Sequence, residues 1–130
     1  MLHKLNNWLS GLEDWAYLGA RVLVGLMFFL HGWQKLSPLV MGGDAPGGLM
    51  LVAGIVELVG GLAVAFGFLT QLASFLSAGQ MLVAYVMVHA SGGWNPLVNK
   101  GELALMYFAA FAVFATMGGR KWSLDEWMGR

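Results

Sequence analysis

The sequence contains no cysteine. Disulfide bonds, thiolate metal sites, iron–sulfur ligation and dithiol redox chemistry on this chain are therefore excluded. Charge is scarce as well: 11% of the residues are charged and 58% are hydrophobic, whereas soluble proteins have about 25% and about 45–50%. The formal net charge is zero, so the chain has no basic field for nucleic acid and no acidic tail. This composition predicts an integral membrane protein.

Four apolar segments have lengths suited to crossing a bilayer. We expect one all-α domain, a membrane four-helix bundle with short interfacial helices at both ends, whose spans cover about 16–36, 49–69, 72–89 and 102–117. Ser37-Pro38 is predicted to end the first span, and Thr70-Gln71 to form a tight turn. The first seventeen residues lack the apolar core of a cleavable signal, so the first span is expected to stay in the membrane.

The two ends of the chain have the character of interfacial segments. Residues 1–15 place leucines at helical spacing beside Trp8 and Trp15, which predicts an amphipathic helix lying on the membrane. Residues 118–130 mix basic and tryptophan residues and are expected to form an interfacial tail. Within it, Ser123 and Glu126 have the spacing of a capping box, which predicts a short helix.

Four spans would bring both termini to one side of the membrane. The basic residues divide unequally between the two sides, and the excess predicts cytoplasmic termini. On the terminal side lie Lys4, Arg120, Lys121 and Arg130, and on the other lie Lys35 and Lys100.

Ionisable side chains inside the apolar spans are candidates for function because an unpaired charge there is costly. Arg21, His31 and Lys35 share one sector of the first span, and Glu57 is the only charge of the second. We predict that Glu57 is buried and paired, with Arg21 as the favoured partner and Lys35 or His31 as alternatives. Such a pair can equally serve only to lock the helices together.

Neither haem ligation nor metal binding is the favoured role for the histidines. His31 and His89 could be axial ligands of a haem, but lone histidines more often bond to loop carbonyls. No metal site is expected, because His31, His89, Glu57 and Glu102 lack ligand pairs at helical spacing. Gln80 and His89 lie nine residues apart on opposite helix faces, so at most one should point at the bundle centre.

A quinone site suits the composition better, since it needs an apolar cleft with one or two donors or acid–base groups. His31 with Glu57 or Glu102 could supply these groups. We expect them to form the floor of a pocket whose mouth is covered by the loops 37–48 and 90–101. Its candidate walls are aromatic, although a plain interfacial belt explains Trp33 and Trp94 equally well: Phe28, Phe29, Trp33, Tyr85 and Trp94.

Three segments together resemble the DoxX family of small bacterial membrane proteins, over nearly all of residues 16–125. They are Arg21-x3-Gly25-x5-His31-Gly32-x2-Lys35-Leu36, Glu57-Leu-x-Gly60-Gly61-x5-Gly67 and Asn99-Lys-Gly101-Glu102-Leu-Ala-Leu, followed by Trp122-Ser123-Leu124-Asp125. The resemblance implies a four-helix bundle in the bacterial inner membrane. Some members are subunits of thiosulfate:quinone oxidoreductase, and others are associated with oxidative-stress proteins or with detoxifying quinones and catechols. Without cysteine, any sulfur chemistry would belong to a partner chain.

These observations predict the membrane subunit of a quinone-linked oxidoreductase that works with partner subunits. The alternative is a non-catalytic subunit or assembly factor whose buried polar network is structural. A transporter fits less well, because broken spans and internal repeats are absent. The expected partners are lipid, a quinone or similar aromatic molecule, and further copies or other subunits. The expected catalytic residues are His31, Glu57 and Arg21, and the expected substrate-binding residues are Lys35, His89, Asn99, Glu102, Tyr85 and Trp94.

Overall fold

The apolar segments of the sequence are helical, and the computed structural model, which describes all 130 residues, contains no strand. The helices are α1 (Leu2–Ser10), α2 (Glu13–Met41), α3 (Gly48–Phe66), α4 (Thr70–Ala84), α5 (Pro96–Asn99), α6 (Glu102–Met117) and α7 (Leu124–Trp127). A π-helical turn, Tyr85–His89, and a 3₁₀ turn, Ala90–Gly92, extend α4.

Three helical stretches are long and apolar enough to cross a membrane: α2, α3 and Thr70–Gly92. The apolar helix α6 is shorter, with 16 residues, or about 24 Å at 1.5 Å per residue. The expected all-α membrane protein is therefore confirmed.

The first long helix ends later than predicted. Pro38 lies inside α2, which continues to Met41 and ends at Gly42 with a left-handed backbone. A proline three residues from the end of the helix removes only one helical N–H donor. The carbonyl that would have accepted this hydrogen bond belongs to Gln34, which is exposed at the surface of the bundle. The Pro38 carbonyl accepts a hydrogen bond from Gly43 N at 2.8 Å, which closes the helix. The predicted turn at Thr70 is also displaced, because Thr70 already begins α4 and Leu69 has a φ of 46°.

Glycines allow α2 and α3 to pack backbone to backbone. A Cβ at Gly25 would lie 2.6 Å from the carbonyl oxygen of Gly61, and one at Gly32 would lie 2.8 Å from that of Gly54. A larger residue at either position would keep the two helix backbones apart. Small residues are usual at such positions where membrane helices pack closely. This close contact brings the polar face of α2 against the face of α3 that carries Glu57.

The chain termini, the start of α2 and the α3–α4 turn lie together at what we call the terminal end of the bundle. The tail is bound to this end rather than lying free: the Asp125 carboxylate accepts hydrogen bonds from Leu69 N at 2.8 Å and Thr70 N at 2.9 Å. Trp122 stacks on Trp15 with ring centroids 4.4 Å apart. The opposite end, which holds residues 42–47 and 93–101, is the loop end.

The short helices at the chain ends differ in how they are held. The predicted short helix is present as α7, and Ser123 Oγ caps it by accepting a hydrogen bond from Glu126 N at 3.1 Å. Every residue of α1 is exposed, including Leu5, Trp8 and Leu9. Its position in the membrane interface stays a prediction.

Candidate functional site

A cleft with a volume of about 580 Å³ lies in the loop-end half of the molecule. It separates the first half of α3 from the second half of α4, while α2 and α6 form its back. Most of its lining is hydrophobic. Val52, Val83 and Met87 line it, and each is more than half exposed on the outer surface of the bundle. The cleft is therefore open sideways, in the direction from which a lipid-soluble molecule would arrive.

Glu57 forms the polar floor of the cleft and is 4% exposed. Its Oε2 lies 2.6 Å from Lys35 Nζ, and its Oε1 accepts a hydrogen bond from Gln80 Nε2 at 2.8 Å. These contacts join α2, α3 and α4 at one point. The prediction that Glu57 is buried and paired is confirmed, and the partner is Lys35, one of the alternatives.

The favoured pairing of Glu57 with Arg21 is wrong. Arg21 is 1% exposed and lies at the terminal end, where its Nη2 donates to the Trp122 carbonyl at 2.9 Å. Its guanidinium packs against Gly67 and Ser123. Gly67 follows Glu57 by ten residues, about 15 Å along the helix axis, which is too far for the pair. Sequence reasoning missed the acceptor because it treated the tail as a free interfacial anchor.

Two histidines line the cleft from different helices. His31 on α2 is half-buried and meets the ring of Tyr107 edge to face, with centroids 5.8 Å apart. His89 Nδ1 lies 3.2 Å from the Asn99 carbonyl, the kind of loop contact expected for a lone histidine. His89 and Gln80 both line the cleft, since the π turn Tyr85–His89 changes the register of the helix between them, but only Gln80 bonds to the buried Glu57.

Tyr107 is a site residue that sequence reasoning missed. It lines the cleft from α6, is 6% exposed, and its hydroxyl has no hydrogen-bond partner in the chain. The amide oxygen of Gln80 is likewise buried without a hydrogen-bond partner in the chain. Buried polar atoms are nearly always paired, so two unpaired ones in a single cleft are unusual. The available signal was a lone tyrosine hydroxyl within the apolar residues of α6.

Other predicted residues lie outside the cleft. Glu102 is exposed in the first turn of α6, since Ala104 and Tyr107 occupy the inward face. The expected floor of His31, Glu57 and Glu102 is therefore correct for two of the three. Of the two loops expected at the mouth, only 90–101 contributes to the lining, through Lys100.

Tyr85, Trp94 and Asn99 form a separate hydrogen-bonded group that braces the loop end. The Tyr85 hydroxyl donates to the Trp94 carbonyl at 2.5 Å, and Asn99 Nδ2 donates to the Tyr85 hydroxyl at 3.1 Å. Asn99 Oδ1 accepts from Gly101 N at 2.8 Å. The side chain of Trp94 is exposed. None of its three residues lines the cleft.

The cleft combines an apolar body with a small set of polar atoms at one end. No group of three or more histidine, aspartate or glutamate side chains is placed to hold a metal ion. The charged pair at the floor is satisfied within the chain, whereas the buried Tyr107 hydroxyl has no hydrogen-bond partner there. Such an arrangement suits an amphipathic molecule with a flat polar head.

Comparisons with known proteins agree with this architecture. Residues 16–90 match the family model described as DoxX. A Haemophilus influenzae protein named "Uncharacterized protein" is 38% identical over 82% of this chain and 85% of its own length. "Inner membrane protein YqjF" of Escherichia coli is 30% identical over 92% and 96%.

A more distant relative is "Putative oxidoreductase CatD" of Bacillus subtilis, which is 26% identical over 83% of each chain. No solved structure matches the chain. The family model covers more than half of the sequence, and two relatives match at 30% identity or above over most of its length. The chain is a member of the DoxX family of membrane proteins.

Proposed function

We propose that this protein binds the headgroup of a quinone, or of a similar aromatic molecule, in the sideways-open cleft. It acts there as the membrane subunit of an oxidoreductase and works with partner subunits or further copies of itself. In this proposal it resides in the bacterial inner membrane with both termini in the cytoplasm, where Arg120 and Lys121 follow the positive-inside rule.

The observation that carries the proposal is the unpaired hydroxyl of Tyr107 in an apolar cleft that is open toward lipid. A buried hydroxyl without a partner costs about 1–3 kcal/mol, which a ligand carbonyl would recover. The volume of about 580 Å³ falls within the usual range for small-molecule sites, about 300–1,000 Å³. The apolar walls suit an isoprenoid-substituted ring that diffuses in from the bilayer.

His31 and Tyr107 have adjacent roles at the head of the ligand. Their rings are in contact, so one carbonyl oxygen can receive a hydrogen bond from either group. Histidine exchanges protons readily near neutral pH, which suits quinone chemistry coupled to protons. Lys35 and Glu57 form a fixed charge pair below this position. Lys35 is therefore the cation paired with Glu57 in this proposal, whereas the sequence had suggested Arg21.

The name of the Bacillus subtilis relative, a putative oxidoreductase at 26% identity, supports the reaction class. Sulfur or dithiol chemistry, if the complete enzyme uses it, belongs to a partner, because this chain has no cysteine. This chain would then supply ligand binding and proton exchange.

Binding of a short-chain quinone, followed by quenching of tryptophan fluorescence in detergent, tests the proposal. Trp33 is two residues from both His31 and Lys35 and provides a nearby reporter. We expect His31→Ala and Tyr107→Phe each to weaken binding by about tenfold, the loss of roughly one hydrogen bond. His3→Ala is the matched control, because His3 is exposed on α1. Unchanged affinity in well-folded His31→Ala and Tyr107→Phe proteins would overturn the proposal.

One observation favours the alternative of a structural subunit. The carboxylate of Glu57 is satisfied by Lys35 and Gln80, and this bond network ties three helices together without any ligand. If quinones do not bind to the wild-type protein, the polar floor serves helix assembly, and the partner subunit provides the function.

A further inference from the structure

A row of buried hydroxyl groups runs along one face of α4. Thr70, Ser74 and Ser77 are each 0% exposed and recur at intervals of four and three residues. Three residues further on, Gln80 continues the row to the floor of the cleft. In a membrane helix a buried serine usually bonds to a carbonyl of its own helix, yet neither Ser74 Oγ nor Ser77 Oγ has any partner in the chain.

Both ends of this row reach a carboxylate. At the terminal end, Thr70 Oγ1 donates to Asp125 Oδ2 at 2.7 Å. At the cleft, Gln80 Nε2 donates to Glu57 Oε1 at 2.8 Å. Ser77 packs against Gly60, which is one turn from Glu57 on the same helix. The row thus extends through the interior from one ionisable group to another, with Ser74 and Ser77 unpaired between them.

The spacing of the row suits single bridging water molecules. Steps of three or four residues correspond to about 4.5–6 Å along the helix. One water molecule joins two oxygens about 5–5.5 Å apart, since each O–H···O distance is about 2.7–2.8 Å. Hydroxyls and water both donate and accept hydrogen bonds, so they can relay protons, which alanine at the same positions could not do.

Each end of the row also adjoins a recess of the protein surface. A second, more polar recess of about 450 Å³ at the terminal end is lined by Thr70, Asp125 and Arg130, among others. The cleft lies at the opposite end and is lined by Gln80 and Glu57. Water therefore has access to the Asp125 end, and the path ends where a ligand would sit.

We propose that Thr70, Ser74 and Ser77 form a proton path from Asp125 at the terminal end to Glu57 in the cleft. A proton taken up at the Asp125 carboxylate displaces one proton from each oxygen to the next. The last transfer runs from Ser77 through a bridging water to the Glu57 carboxylate, where Gln80 donates only a hydrogen bond, so that one proton enters at Asp125 and a different one is delivered. This function goes beyond ligand binding, and its test needs no ligand.

The absence of cysteine allows a direct test. In Ser77→Cys and Ser74→Cys the only thiol of the protein has an S–H infrared band that shifts when the protein is moved into D₂O. Ala78→Cys is the matched control, because Ala78 is also buried on α4 but lies in the apolar core. We expect exchange at positions 74 and 77 to be roughly 100-fold faster than at 78, where the bundle must open first.

A second variant tests the direction of the path. Thr70→Val keeps the shape of the side chain and removes its hydroxyl, so it should slow exchange in Ser74→Cys at least tenfold. Exchange at positions 74 and 77 as slow as in Ala78→Cys would overturn the proposal. Unchanged exchange of Ser74→Cys in the Thr70→Val background would overturn the link to Asp125. Should the tight contact with Gly60 prevent Ser77→Cys from folding, Ser74→Cys decides both questions.

Discussion

Lys35 and Glu57 meet across the α2–α3 interface, with Nζ and Oε2 2.6 Å apart. The two side chains differ in environment, since that of Glu57 is 5% exposed and that of Lys35 is 25% exposed. The lysine therefore extends inward from the edge of the cleft, and its ammonium is the only cation paired with the Glu57 carboxylate. The close glycine contacts of α2 and α3 make this reach short enough.

The first prediction concerns this pair. Glu57→Ala leaves the ammonium of Lys35 in an apolar site without its counter-charge, and should lower the free energy of unfolding by about 3–5 kcal/mol. Thermal unfolding in detergent measures the effect. Glu102→Ala is the control, because Glu102 is exposed. A Glu57→Ala protein that melts like the parent would show that the pair contributes nothing to stability.

A second prediction tests the contact between the helix backbones. Gly61→Ala would place a Cβ 2.6 Å from the Gly25 carbonyl oxygen, so α2 and α3 must separate. We expect a loss of about 1–3 kcal/mol in unfolding free energy, typical of overpacking. In Gly79→Ala the added methyl meets nothing within 4 Å, and this variant should be neutral or slightly stabilised. Equal stability of the two variants would contradict the tight interface.

The third prediction uses Asp125, which holds the tail on the bundle. Burial raises the pKa of its carboxyl, but hydrogen bonds from Thr70 and Leu69 outweigh it and leave the pKa below its ordinary value. The ionised carboxylate therefore contributes to the free energy of unfolding at pH values above the ordinary pKa of aspartate, about 3.9. This contribution is lost as the pH falls through the lower pKa of the folded state.

Melting temperatures measured from pH 7 down to pH 3 should therefore show a loss of stability below about pH 4 in the parent. Asp125→Asn should lack this component and should start lower, by about 1 kcal/mol for a weakened helix cap. Asp44→Asn, in the exposed loop before α3, serves as the control. Parallel pH curves for the parent and Asp125→Asn would refute the role of this carboxylate.

The membrane class and the helices followed from local properties of the chain. Length, apolar composition and the glycine-rich turns are sufficient to place helices, since each apolar segment must satisfy its own backbone inside lipid. The burial of Glu57 was predictable for the same reason, because a carboxylate in a span of small and apolar residues must turn inward. The Ser123–Glu126 cap depends on residues three apart and could also be predicted.

The partners of the buried charges could not be predicted in this way. Helical periodicity gives the face on which Arg21 or Lys35 lies, but not the depth at which two helices cross or the place where the tail folds back. Arg21 donates a hydrogen bond to the Trp122 carbonyl, 101 residues away, and Lys35 forms an ion pair with Glu57. Both outcomes depend on distances between elements that are far apart in the sequence.

A membrane protein of apolar helices with a buried acid could be predicted from the sequence, because these features follow from the composition and period of single segments. The packing of the helices in three dimensions opens the cleft between α3 and α4 and brings Tyr107 to His31 there. It also places Glu102 and Arg21 elsewhere. The physical reason is that a cleft is the space left by helix packing, and packing depends on side chains of several helices at once.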